Sequence, residues 1–211
     1  HPTQQTKPIA FLPVFTGTNC DYDTTKAFVR AGAEVTTSVF RNLTEADIFE
    51  SIDEMSRKIS ECQILALSGG FSSGDEPDGS GKFIANVLNN SKISEQIHTL
   101  LDRGGLIIGI CNGFQALTKS GLLPYGRLGM VTEESPTLFR NDINRHISLI
   151  ANTRVSSVNS PWLAGFEIGE IHSVAMSHGE GKLVISSELA EKLFEKHQIA
   201  FQYVDLDGNI T

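Results

Sequence analysis

The chain has 211 residues, 40% of them hydrophobic and 20% charged, which suits one compact domain with a sizeable core and room for a small insertion. Its formal net charge is -8, with acidic and basic residues dispersed, so neither a disordered tail nor the electrostatic footprint of a nucleic-acid binder is expected. The longest apolar stretches, "IAFLPVF" and "LIIGI", fall far below the roughly 20 residues that span a bilayer, and no signal-peptide pattern is present. Three cysteines, Cys20, Cys62 and Cys111, form no metal-ligand spacing. Such sparse use fits a reducing compartment, so the expectation is a cytoplasmic protein with no membrane or nucleic-acid partner and no metal.

Residues 1–7, "HPTQQTK", are polar and aperiodic, and read as a linker or expression remnant; the domain itself is expected over 8–211. From Ile9 onward short β-type runs alternate with helical patterns: "IAFLPVF", a helix from Tyr22 to Ala31, "EVTTSVF", and a helix across Ala46 to Ile59. Thr44 with Asp47 three residues later predicts a capped start for that second helix. "ILALS" is the next strand, a glycine-rich loop runs from Gly69 to Gly81, helical patterns occupy Phe83 to Leu101, and "LIIGI" follows. Strands apolar on both faces and separated by helices predict an α/β fold with a mostly parallel sheet covered on both sides. After Leu123 the pattern shortens to "HISLIANTRV", "EIGEIHSVAMS" and "KLVIS", then a helix from Ser187 to Lys196, "IAFQYV", and a hairpin at "DLDGN". These predict extra antiparallel strands in the second half.

"IIGICNGFQ" carries the sharpest chemical signal. Cys111 stands where a strand hands over to a helix, the place where ligands sit in an open parallel sheet. A tight strand-to-helix turn strains the backbone of the nucleophile and leaves no space for side chains two positions away, which Gly109 and Gly113 satisfy. The helix start then offers a positive dipole end and free N–H groups, which favour a thiolate and can hold an oxyanion. The bland alternative is a buried structural cysteine, and it fits Cys20 and Cys62 better, because neither has the elbow context. Gly69 and Gly70, directly after "ILALS", predict a turn whose backbone N–H groups converge on charge developing beside Cys111, the arrangement for acyl transfer through a thioester. Such chemistry also needs a base, normally a histidine held by a carboxylate. Of His1, His98, His146, His172, His178 and His197, only His178 begins a His-x-Glu, with Glu180 two residues on in "SHGEGK". Strand alternation places those two side chains on one face, against the alternative of a satisfied loop histidine.

The segments "FLPVFTGTNCDYDTTKAF", "SGGFSSGDEPDGSGKFI", "GLIIGICNGFQALTKSGLLP", "SPWL" and "MSHGEGKLV" resemble the class I (triad) glutamine amidotransferases of flavodoxin-like fold. Within them the match is to the glutaminase domains of phosphoribosylformylglycinamidine synthases of purine biosynthesis, and "GDEPDGSGKF" and "TGTNCDYD" look specific to these. The resemblance implies the C-terminal part of the long single-chain synthase. It implies that Cys111 attacks the glutamine side-chain amide, giving a glutamyl thioester and ammonia, with Gly70, Phe71 and the backbone of Asn112 as oxyanion hole. Gln115, together with Ser177, His178, Gly179 and Glu180 of "SHGEG", would contact the bound glutamine. It also moves the catalytic His-x-Glu away from His178 and Glu180, into a segment after "YVDLDGN". The expectation is therefore a domain truncated at Thr211 before that pair and incomplete as a catalyst.

The function expected on these grounds is an enzyme component that hydrolyses L-glutamine and passes ammonia to a synthase domain of the same polypeptide or complex. That domain would use ATP and Mg2+ to convert formylglycinamide ribonucleotide to its amidine, while this one would need no cofactor. Two alternatives stand beside it: a catalytically silent docking or regulatory module of the same fold, and a peptidase-like or chaperone-like cysteine protein sharing the elbow. The loop "SSGDEPDGSGK" exceeds ten residues, more than a passive connection needs, and Asp75, Glu76 and Asp78 are expected to couple the site to the synthase.

Overall fold

The computed structural model of the chain describes residues 7–73 and 81–211. Asp75, Glu76 and Asp78 lie outside the described residues, as does most of the leader. The chain divides into two compact units, His1–Glu133 and Glu134–Thr211.

The first unit runs β1 (Ile9–Val14), α1 (Asp21–Arg30), β2 (Glu34–Val39), α2 (Glu45–Glu61), β3 (Ile64–Leu67), α3 (Lys82–Leu88), α4 (Ser91–Asp102), β4 (Leu106–Gly109), α5 (Asn112–Lys119) and a short α6 (Leu122–Tyr125). Its four strands pair in parallel in the order β2-β1-β3-β4. Order reverses between β1 and β3, so the crevice beyond their carboxyl ends is where such a sheet holds ligands. Alternation along the strands divides the core. Phe11, Leu65, Leu67 and Ile107 face Met55 and Ile59 of α2, Ile97 and Leu100 of α4, and Ala116 and Leu117 of α5. Ala10, Leu12, Ala66 and Ile108 face the other way, with Phe28 of α1 and Val35. Helices thus cover both faces, and each fully buried Leu or Ile stabilises the unit by about 1.5–3 kcal/mol.

Local signals set the element ends. The Thr44 hydroxyl accepts from the Asp47 N–H while the Asp47 carboxylate accepts from the Thr44 N–H, a complete capping box at the start of α2. At the other end of α2 the Arg103 guanidinium donates to the carbonyls of Ile59, Ser60 and Cys62, groups that helix geometry leaves without partners. The helical stretch read across Phe83 to Leu101 is two helices. Asn90 breaks it, its side chain accepting from the Lys92 N–H to cap α4.

The second unit holds β5 (Thr137–Phe139), β6 (Ile147–Val155), a 3-10 turn (Pro161–Leu163), β7 (Ile171–His178), β8 (Lys182–Val184), α7 (Ser187–Glu195) and β9 (Phe201–Val204). All its pairings are antiparallel: β7-β6-β9 in one sheet and β5-β8 in another. The "DLDGN" hairpin closes through a Val204–Ile210 bridge, with the Asp205 carboxylate accepting from the Asp207 and Asn209 N–H groups. In "EIGEIHSVAMS" the first four residues form a turn, Gly169 donating to the Val155 carbonyl, and the strand proper starts at Ile171.

Candidate active site

Cys111 sits between β4 and α5 as the residue that precedes the first helical turn, with φ 54° and ψ -111°. Positive φ at a residue with a Cβ costs on the order of 1–3 kcal/mol and persists only where its surroundings impose it. The surroundings are the backbone itself. A Cβ on Gly113 would lie 2.1 Å from the Leu67 carbonyl oxygen, and one on Gly109 2.6 Å from the Gly113 carbonyl oxygen. Both contacts are with main-chain atoms, so a side chain at either place would pry α5 off β3 and β4. The pattern read in the sequence is therefore a steric requirement of this turn. Cys111 is exposed, and the first turn of α5 carries no acidic residue to oppose its dipole.

The Gly69–Gly70 turn stands beside it, laced to the loop that follows β1. Gly69 accepts from the Asn19 and Cys20 N–H groups, Phe71 donates to the Gly17 carbonyl at 2.9 Å, and Ser73 donates to the Thr16 carbonyl. Thr18 and Gly70 are the paired residues of this antiparallel bridge. Because the bonds run through their neighbours, the N–H of Gly70 points away from Thr18 and out of the ladder. Phe71, expected as an oxyanion donor, has its N–H directed to Gly17 instead. Gly70 itself has φ 147°, and a Cβ there would meet the Gly17 carbonyl oxygen at 2.5 Å.

Asn112 ties the elbow to this turn. Its side chain is 2% exposed; Oδ1 accepts from the Ser72 N–H at 3.3 Å and Nδ2 donates to Gln115 Oε1 at 3.2 Å. The sequence singled out Asn112 for its backbone alone. Gln115 lies one turn into α5, so Cys111, Asn112, Gln115, Gly69 and Gly70 all gather at one end of the parallel sheet. So does Cys20, which the sequence set aside. It is exposed and starts α1, and its Sγ lies 3.4 Å from the point a Gly69 Cβ would occupy, with Cys111 Cβ 3.3 Å from that same point. Burial, then neighbouring Cys111, Asp23 and Asp21, push the Cys20 thiol above its ordinary pKa. Cys62 is fully buried at the end of α2, its thiol donating to the Ile59 carbonyl.

In the second unit, "SHGEG" marks the end of β7. The strand stops at His178, so Glu180 falls in the following bend, and strand alternation does not pair the two side chains. His178 Nδ1 accepts from the Gly181 N–H at 3.1 Å, which places the ring proton on Nε2. A Cβ on Gly181 would strike that ring at 2.5 Å, so the second glycine of the motif makes way for the imidazole. Burial, then His146, lowers the His178 pKa and keeps the ring neutral. Asn141, which the sequence did not flag, clamps the segment: its Nδ2 donates to the His178 carbonyl at 2.8 Å and its N–H to the Gly179 carbonyl at 2.9 Å. Ser177 Oγ and His146 Nε2 are hydrogen-bonded at 2.8 Å across the β6–β7 pair. A histidine–carboxylate contact, His172 Nε2 to Glu170 Oε2 at 3.3 Å, reads Glu-x-His in the chain and escapes a search for His-x-Glu.

Among the described residues no cluster of three or more His, Cys, Asp or Glu side chains is arranged to hold a metal ion, and no helix is long and apolar enough to cross a membrane.

A family model, the CobB/CobQ-like glutamine amidotransferase domain, matches residues 7–211. The phosphoribosylformylglycinamidine synthase subunit PurQ of Dehalococcoides mccartyi is 36% identical over 193 residues, spanning 91% of this chain and 68% of that protein. The subunit of the same name from Koribacter versatilis is 30% identical over 200 residues, spanning 94% of this chain and 73% of that protein. Both are named as a separate subunit, whereas the sequence suggested part of a long single chain. The solved structure of PurLQS from Thermotoga maritima aligns with a TM-score of 0.66 at 26% identity, over 98% of this chain and 81% of that one. On the match along nearly its whole length, this chain belongs to the CobB/CobQ-like glutamine amidotransferase family.

Proposed function

We propose that this chain is the glutaminase component of phosphoribosylformylglycinamidine synthase, with Cys111 as its nucleophile. The observation that carries the reading is the strained, exposed thiol at the start of α5, beside a Gly-Gly turn at the switch point of a parallel sheet. The Cys111 thiolate attacks the side-chain carbonyl carbon of glutamine, and the carbonyl electron pair moves onto oxygen. Gly70 N–H, aimed out of its ladder, and the backbone of Asn112 stabilise that oxyanion. Collapse breaks the carbon–nitrogen bond, the nitrogen takes a proton and leaves as ammonia, and water then hydrolyses the thioester to glutamate.

The proton for the leaving nitrogen needs a general acid. Within the first unit the one described histidine, His98, has its Nε2 accepting from the Leu128 N–H. In the second unit the neutral His178 is a hydrogen-bonding group, and Asn141 holds its segment in shape. Ammonia passes to a synthase partner, as the subunit names of the relatives suggest, in the cytoplasm, where free thiols stay reduced. ATP and Mg2+ belong to that partner's reaction.

The test uses the full-length protein with its synthase partner. Cys111→Ala should abolish glutamine-dependent amidine formation by at least about a thousandfold while leaving ammonia-dependent formation unchanged. Equal loss with both nitrogen sources would favour a docking module whose integrity, not chemistry, the partner needs.

A further inference from the structure

Cys20 and Cys111 begin two different helices, yet the fold brings both to the space above Gly69. The Cys20 Sγ and the Cys111 Cβ each lie within 3.4 Å of the point where a Gly69 Cβ would be. Gly69 has no such atom to hold them apart, and Cys111 is close enough to Cys20 to act on its charge. Cys20 is held in place by main-chain bonds: its own N–H and that of Asn19 both donate to the Gly69 carbonyl. Both thiols are exposed, and Cys62 is buried in the core, so a small oxidant reaches the first two and not the third.

We infer that Cys20 is a resolving thiol for Cys111, closing it into a reversible disulfide after oxidation by a peroxide. The inference rests on the reading of Cys111 as the reactive nucleophile. In the first step the Cys111 sulfur attacks a peroxide oxygen; the oxygen–oxygen bond breaks, sulfur is oxidised to a sulfenic acid, and the peroxide is reduced to water. In the second the Cys20 sulfur attacks the sulfenic sulfur, the sulfur–oxygen bond breaks, and hydroxide leaves as water with the Cys20 proton. A dithiol reductant restores both thiols. Without a resolving partner the sulfenic acid proceeds to sulfinic acid, from which an ordinary thiol does not recover the cysteine.

The electrostatics divide the two roles. Asp21 and Asp23 sit in the first turn of α1, and the first turn of α5 carries no acidic residue. The raised Cys20 pKa keeps that thiol protonated at neutral pH and makes it a poor first attacker on peroxide.

The experiment treats full-length protein with hydrogen peroxide, maps peptides without reduction, and measures glutaminase activity before and after a dithiol. The expected result is a Cys20–Cys111 cross-linked peptide lacking two hydrogens, with activity lost and then regained. Cys20→Ser, which puts a good helix-capping residue at a position whose thiol makes no cap bond, should start with unchanged activity, lose it to the same peroxide dose, and recover less than about a tenth of it, with sulfinic acid at Cys111. A Cys111 oxidised without a cross-link to Cys20, a Cys111 that resists peroxide, or full recovery of Cys20→Ser each overturns the inference. A Cys111→Ala variant that keeps glutaminase activity overturns the nucleophile reading itself, so the two failures are told apart.

Discussion

The carbonyl oxygen of Leu67 lies 2.1 Å from where a Cβ on Gly113 would be, and this contact between β3 and α5 sets the geometry of the thiol two residues earlier. Gly113→Ala cannot be absorbed by a rotamer change, because the obstacle is main chain. It is expected to cost about 1–3 kcal/mol of stability and to slow electrophile labelling of Cys111 by at least tenfold. Thermal unfolding and timed labelling check it together; a variant that labels like the parent protein would mean the elbow does not depend on this contact.

Asn112 holds the Gly-Gly turn against the elbow through Ser72 and reaches Gln115 on its own helix. Asn112→Ala keeps the backbone N–H proposed as an oxyanion donor and removes both side-chain bonds. Leaving the buried Ser72 N–H unsatisfied costs about 1–3 kcal/mol. Turnover of glutamine should fall more than its KM rises, since the turn orients the transition state rather than the substrate's distal groups. A rise in KM alone would place Asn112 in ordinary substrate binding.

His178 gives a pH dependence of known sign. Burial and His146 lower its folded pKa, so the folded chain refuses a proton that the unfolded chain takes up near pH 6.5. The stability linked to this ring is fully present above that value and is lost as pH falls through it toward the lower folded pKa. An imidazole titration followed by NMR should show a midpoint below about 6.5, and His178→Gln should flatten the loss of stability on acidification. A midpoint at or above the ordinary value would remove the neutral-ring assignment.

The capping box at α2 offers a check on local structure alone. Thr44→Ala removes the hydroxyl that accepts from the Asp47 N–H and is expected to cost about 1 kcal/mol by chemical denaturation, with no effect on Cys111 labelling.

Features written in neighbouring residues are legible in the amino-acid sequence itself. Thr44 with Asp47 marks the cap, "DLDGN" the hairpin, and glycines two places either side of Cys111 the elbow, because each is a local steric or hydrogen-bonding demand. The parallel sheet follows from strands apolar on both faces. What escapes depends on contacts between segments distant in the chain. The Phe71 N–H goes to Gly17 because two loops pair across the switch point, and the same pairing carries Cys20 to the side of Cys111. Asn141 looks like a loop asparagine until the end of β7 folds over it. The break at Asn90 is hidden by apolar residues that suit either one helix or two.

Cys111, and no other thiol, is the proposed nucleophile of this fold. Folded full-length protein is exposed briefly to a glutamine analogue carrying an electrophile, quenched, digested and mapped. Cys111 should be modified first, and glutamine should protect it; Cys20, with its raised pKa, should follow slowly, and Cys62 only after unfolding. Equal modification of all three thiols, or Cys20 reacting ahead of Cys111, would contradict it.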